Sequence, residues 1–194
     1  MGLPEPIRKV IKLPMKPAQK ELYQMTRDER VLSGKKIRPL MKNFIREGRG
    51  FVCIHISGCI PEFWEEYSEI TGGGWDLKES FHPPYGKVEV KISNPDHPGA
   101  IDVSDFITND ELYMGIDYRE GNDVFMFASS QDETHEWRGE DVFMPGGDFP
   151  LGWTRHYGAG RVFVTLLGHD GLSFLNPEFQ KIVLNGVKWV TDSA

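Results

Sequence analysis

The hydrophobic pattern of the chain alternates between short apolar runs and amphipathic stretches. Phe51-Val52-Cys53-Ile54 follows Gly50 and breaks off at His55-Ile56-Ser57-Gly58, the pattern of a buried central strand with a histidine at its end. Upstream, Ile37, Leu40, Met41, Phe44 and Ile45 recur at helical spacing with Gly48 as the stop, although Pro39 predicts a kink or a delayed start. Downstream, Pro61 opens a second helix with Phe63, Trp64, Tyr67 and Ile70 on one face, ended by Gly72-Gly73-Gly74. Val88, Val90 and Ile92 alternate with charged residues as a half-buried strand does, and Val124 to Ala128 and Arg161 to Leu167 read as further strands. Asn176 with Pro177 behind it caps a closing helix striped by Phe179, Ile182, Val183, Val187 and Val190. Strands alternating with helices predict an α/β fold.

Two segments depart from this alternation. Residues 1 to 30 carry prolines at 4, 6, 14 and 17 and scattered basic residues, which predicts an extended arm ahead of an α/β domain over 31–194. The polar, acidic, glycine-bearing run from Ser129 to Gly147 predicts a long surface loop or lid.

Composition narrows the classes. With 194 residues, 39% hydrophobic and 26% charged, the chain suits one globular domain. A net charge of -7 argues against nucleic acid and against an anionic membrane surface as partners. Two cysteines, Cys53 and Cys59, make no disulfide framework, which suits a cytoplasmic setting, and no apolar run is long enough for a membrane span.

Candidate chemistry sits at strand ends. The run that ends at Leu167 passes into Gly168-His169-Asp170, so a second strand stops at a histidine as the first does. His55 and His169 can face one another across the carboxyl edge of one sheet, where α/β proteins place their sites. Imidazoles there can move a proton, or hold a divalent ion such as zinc or manganese together with a carboxylate such as Glu111. Asp110 beside it is a loop cap or a binding group. His82 and His97 precede prolines, and Trp64, Trp75, Trp137 and Trp153 offer flat faces on which a pyranose can stack. Gly72-Gly73-Gly74 and Gly146-Gly147 lack the strand-to-helix context of a phosphate loop.

Several segments resemble the ThuA-like, or trehalose-utilisation, proteins. They are GRGFVCIHISG at 48–58, GGGWDLKESFHP at 72–83, the His97-Pro98 pair, DELY at 110–113 and GWTRHYGAGRVFVTLLGHD at 152–170. The resemblance covers about residues 31 to 191. It implies the flavodoxin-like, class I glutamine amidotransferase-like fold, with a parallel sheet and helices on both faces. It also implies a catalytic set of His55, Glu111 and His169, with Trp64, His82, His97, Asp110 and Trp153 as substrate contacts. His55 stands where amidotransferases carry their cysteine nucleophile, so glutamine hydrolysis is not expected. The implied substrate is a disaccharide or keto-sugar; the alternative is a non-catalytic ligand-binding or assembly subunit of the same fold. Residues 1 to 30 do not resemble the strand-helix-strand unit with which such proteins begin. An N-terminal unit so shortened leaves a sheet edge that predicts a homo-oligomer.

Overall fold

The computed structural model describes residues 37–55, 64–137 and 139–192, so the predicted arm, Pro61, Phe63 and the shortened N-terminal unit lie outside the described residues. The chain divides into Met1–Met41 and Lys42–Ala194, and the sheet belongs to the second unit. Helix α1, Ile37–Arg46, holds Pro39 in its first described turn, where a missing N–H breaks no helical bond. Gly48, at φ 102°, ends it by donating its N–H to the Ile45 carbonyl at 2.9 Å.

The remaining elements follow in chain order. Strand β1 is Phe51–Ile54, helix α2 Glu66–Thr71, β2 Gly73–Gly74, β3 Gly86–Ile92, β4 Phe106–Asp110, β5 Asp117–Tyr118 and β6 Asp123–Ser130. Then come β7, Glu133–Trp137, β8, Glu140–Met144, β9, Gly147–Tyr157, and β10, Gly160–Thr165, before the helices α3, Gly171–Leu175, and α4, Pro177–Thr191. Six strands form one sheet in the order β1-β10-β9-β6-β3-β4, while β2 pairs with β5 and β7 with β8 in separate two-stranded ribbons.

The fold is mixed α/β with a mostly antiparallel sheet. Among the described strands the expected parallel pairing occurs between β1 and β10, where Phe51 faces Val162 and Ile54 faces Thr165. The pairings β10 with β9, β9 with β6, β6 with β3 and β3 with β4 are antiparallel. The reason is local: β9 and β10 are joined by Gly158-Ala159 alone, and a two-residue link only allows the chain to fold back on its neighbour. Hydrophobic runs reveal that a strand is buried but say nothing of its direction.

Helices lie on both faces of the β9–β10 pair. Gly186 of α4 lies against the Phe163 ring, where an added Cβ would come within 2.5 Å of it. Trp153 lies opposite Val164, the next residue along β10, and so points to the other face; its indole Nε1 donates to the Thr71 carbonyl of α2 at 2.7 Å. Phe125, Leu151, Phe163, Phe179 and Ile182 are fully buried around this arrangement. The predicted loop from Ser129 to Gly147 is instead the β7–β8 hairpin with its flanks.

The outer edge of β4 is covered by side chains. Asn176 donates its amide to the Ile107 carbonyl at 2.8 Å, and Ser173 donates its hydroxyl to the Asn109 carbonyl at 3.1 Å. Asn176 also caps α4 by accepting from Glu178 and Phe179, as its place before Pro177 predicts. Asn176→Ala should therefore cost about 1–2 kcal/mol, at the upper end for an N-cap, because it uncovers an edge carbonyl as well. Urea denaturation checks this.

Candidate functional site

The site forms where strands that run in the same direction end. β1, β10 and β4 share one direction through the sheet, so His55, His169 and Glu111, which follow them, meet at one edge. His55 leaves β1 at φ 51°, a left-handed conformation that costs a non-glycine residue about 1–3 kcal/mol. Two hydrogen bonds hold its ring there. Nδ1 lies 3.0 Å from the Leu166 carbonyl, which can only accept, so Nδ1 carries a proton. Nε2 lies 2.6 Å from the Tyr113 hydroxyl.

Three ligand atoms converge beyond that ring. His169 Nδ1 lies 3.3 Å from His55 Nε2 and 3.2 Å from Glu111 Oε2, and His55 Nε2 lies 3.5 Å from the same oxygen. The Tyr113 hydroxyl is 3.0 Å from that oxygen. Burial first, then the Glu111 charge and hydrogen bond, push the Tyr113 hydroxyl far above its ordinary range, so it stays protonated. The single Tyr113 proton has two acceptors within reach, Glu111 Oε2 and the His55 Nε2 lone pair, and serves one of them at a time. His82 completes the group, its Nε2 3.7 Å from Glu111 Oε1 and its Nδ1 donating to the Pro83 carbonyl at 2.8 Å.

Asp110 has its carboxylate turned inward and buried. It accepts from the Gly168 N–H at 2.8 Å, the His169 N–H at 3.3 Å and the Ser173 hydroxyl at 2.8 Å. The expected substrate contact is thus occupied in holding the segment that carries His169. Gly168, at φ 118°, brings that segment close to β1, since a Cβ there would stand 2.6 Å from Ile54 Cγ2.

The other sequence candidates lie elsewhere. His97 is buried, stacks on Phe125 at 4.5 Å, accepts from the Gly99 N–H at Nδ1 and faces Thr154 through Nε2 at 2.9 Å. Trp153 is core, and Trp64 is buried against Tyr67 at 5.3 Å. None of these partners belongs to the His55 group. The tryptophans that do flank it are Trp75, with its ring 5.0 Å from Tyr113, and Trp137, 4.5 Å from His82. Tyr85 lies 5.2 Å from His169 and donates to Asp170 at 3.0 Å. Tyr113 was legible in part, standing two residues after Glu111 in DELY; nothing local singles out Trp75 or Trp137 over the others.

The family model ThuA, trehalose utilisation, matches residues 20–190. The chain belongs to the ThuA family. It is similar in fold to a ThuA-like protein from Parabacteroides merdae, with 19% identity, a TM-score of 0.62, and coverage of 82% of this chain and 68% of that one. A ThuA-like protein from Bacteroides uniformis gives 17%, 0.62, 81% and 64% in the same measures. A cytoplasmic protein from Salmonella typhimurium gives 13%, 0.53, 89% and 68%. This chain of the ThuA family thus spans about two thirds of the length of those proteins. A search of curated proteins gave no match. Among the described residues no helix is long and apolar enough to cross a membrane.

Two outcomes follow from the placement of Asp110 and His97. Asp110→Ala should destabilise by about 2–4 kcal/mol, because the donors of Gly168, His169 and Ser173 lose their buried acceptor, and Asp110→Asn by less; chemical denaturation reads both. Burial, opposed by the Asp123 charge, holds the His97 pKa below its ordinary value. The unfolded chain therefore takes up a proton near pH 6.5 that the folded chain refuses. The contribution of His97 to stability is complete above that pH and is lost as pH falls toward its folded value. The His97→Gln variant should show a shallower loss of stability between about pH 7 and pH 5, measured as denaturation midpoints at each pH.

Proposed function

We propose that this ThuA-family chain acts on a disaccharide or keto-sugar, with His55, Glu111 and His169 holding a divalent ion, zinc or manganese. The observation that carries the reading is the spacing of three ligand atoms, 3.2, 3.3 and 3.5 Å apart. Tetrahedral ligands about 2.0–2.1 Å from zinc stand about 3.3–3.4 Å from one another. The Leu166 carbonyl supports the same reading, because a proton fixed on Nδ1 leaves the Nε2 lone pair as the donor. The family's trehalose association supports a sugar substrate. A cytoplasmic setting is proposed on the name of the Salmonella typhimurium neighbour.

Bound there, such an ion would polarise a sugar carbonyl or hydroxyl as a Lewis acid. The chain's own groups do the rest. Tyr113 donates its hydroxyl to Glu111 Oε2 at 3.0 Å, and His82 stands beside the second Glu111 oxygen with an Nε2 that faces it. These are the positions of groups that pass a proton to and from a substrate hydroxyl. Trp75 and Trp137 supply apolar walls next to them.

A second reading, proton transfer without an ion, is favoured by the 2.6 Å contact between Tyr113 and His55. Calorimetric titration with zinc and with manganese separates the two. The expected result is one ion per chain, with affinity lowered more than about 100-fold in His55→Ala and in His169→Ala, since even outer-shell partners cost 10–100-fold. Equal binding by the wild type and both variants would remove the metal reading, unchanged sugar turnover by His55→Ala would remove His55 from the reaction, and sugar binding without turnover in the wild type would favour the non-catalytic alternative.

A further inference from the structure

The β7–β8 hairpin pairs with itself and with no strand of the main sheet. A lone two-stranded ribbon is marginal in water, so its position depends on what its inner face meets. Along β7, side chains alternate. Glu133, His135 and Trp137 share one face, on which His135 and Trp137 are half-buried; Thr134 and Glu136 on the other are exposed. On the same face β8 sets Val142 opposite His135 and the buried Met144 opposite Glu133, so an aliphatic anchor carries a carboxylate, an imidazole and an indole beside it.

Below that face lies a cavity of about 430 Å³, within the ordinary range for small-molecule sites. Its lining includes the apolar Val88, Leu112 and Ala128 and the polar Ser130, Glu133 and His135. Glu133 and His135 pair at 2.8 Å and present a joint hydrogen-bonding edge. A lining of mixed apolar and hydrogen-bonding groups suits a ring that is apolar on its faces and hydroxylated at its edge.

The cavity adjoins the His55 group through three chain segments. His82 faces Glu111 while Pro83 and Pro84 line the cavity. Glu111 belongs to the His55 group while Asp110 and Leu112 line the cavity. Trp137 meets His82 at 4.5 Å and Trp75 at 6.3 Å while His135, two residues earlier, lines the cavity. Trp137 therefore stands at the junction of two lobes of one cleft.

We infer that the β7–β8 hairpin builds a second sugar subsite, so that one pyranose ring of a disaccharide sits at His55, His169 and Glu111 and the other under Glu133, His135 and Trp137. The assignment rests on the carbohydrate part of the proposed function and extends it from a single reacting ring to a two-ring ligand. Glu133 and His135 are then the residues that select disaccharide over monosaccharide.

Calorimetry with trehalose, maltose and cellobiose, beside methyl α-glucopyranoside, tests it on the full chain. The wild type should bind at least one disaccharide more than 10-fold tighter than the monosaccharide. Glu133→Ala and His135→Ala should each reduce that preference about 10-fold while leaving the monosaccharide affinity unchanged. Equal affinities for one and two rings, or a preference untouched in both variants, overturns the subsite and leaves the site at His55 standing. Failure of every sugar to bind overturns both the subsite and the carbohydrate reading. Disaccharide preference in a protein that takes up neither zinc nor manganese supports the subsite and removes the metal.

Discussion

The buried carboxylate of Asp110 ties three parts of the structure together. It ends β4, and it accepts hydrogen bonds from the backbone of Gly168 and His169 and from the hydroxyl of Ser173 at the start of α3. These bonds fix the end of β10 against the end of β4, which are not neighbours in the sheet. Glu111 is the next residue after Asp110, and His169 is one of the residues it holds. The distance between two of the proposed ligands is thus set by one side chain that touches neither imidazole ring closely. A buried carboxylate is costly unless its oxygens are matched by donors, and here backbone N–H groups and a hydroxyl supply them.

The second support is the parallel pair β1 and β10. In register, Ile54 lies opposite Thr165, so both chains leave the sheet at the same height. Gly168 lets the outgoing segment lie against Ile54, and the Leu166 carbonyl then reaches the ring of His55. The left-handed backbone at His55 is sustained by these contacts. Geometry in the site is therefore a property of three strand ends and the turns that leave them, not of one loop.

How much of this was legible from sequence varied with the range of the interaction. His55 and His169 could be found because each terminates a run of buried residues, a local signal that survives folding unchanged. Their convergence with Glu111 was expected from the same logic, and the described residues bring the three together. The caps were legible too: Asn176 with Pro177 behind it marks the start of α4. Strand direction was not legible, because a buried run reads alike in either sense; Gly158-Ala159 between β9 and β10 was the one clue to antiparallel pairing. His97 and Trp153 were expected as substrate contacts, yet their partners, Thr154 and Thr71, are distant in sequence and hold them elsewhere. Trp75 and Trp137 were indistinguishable from Trp64 and Trp153 until the hairpin was seen to carry Trp137 to His82.

Proton placement gives the site its asymmetry. The Leu166 carbonyl and the Pro83 carbonyl each take an Nδ1 proton, from His55 and His82, and so both rings turn Nε2 toward Glu111. His169 is set the other way round, with Nδ1 facing the group. Between them the Tyr113 hydroxyl, kept protonated by its burial, has one hydrogen and two acceptors. The hydroxyl can satisfy one of these acceptors at a time, so a group bound at His55 Nε2 would leave Glu111 Oε2 as its acceptor. A carboxylate whose hydrogen bonding depends on the state of a neighbouring imidazole is suited to a reaction in which one group gives up a proton as another takes one.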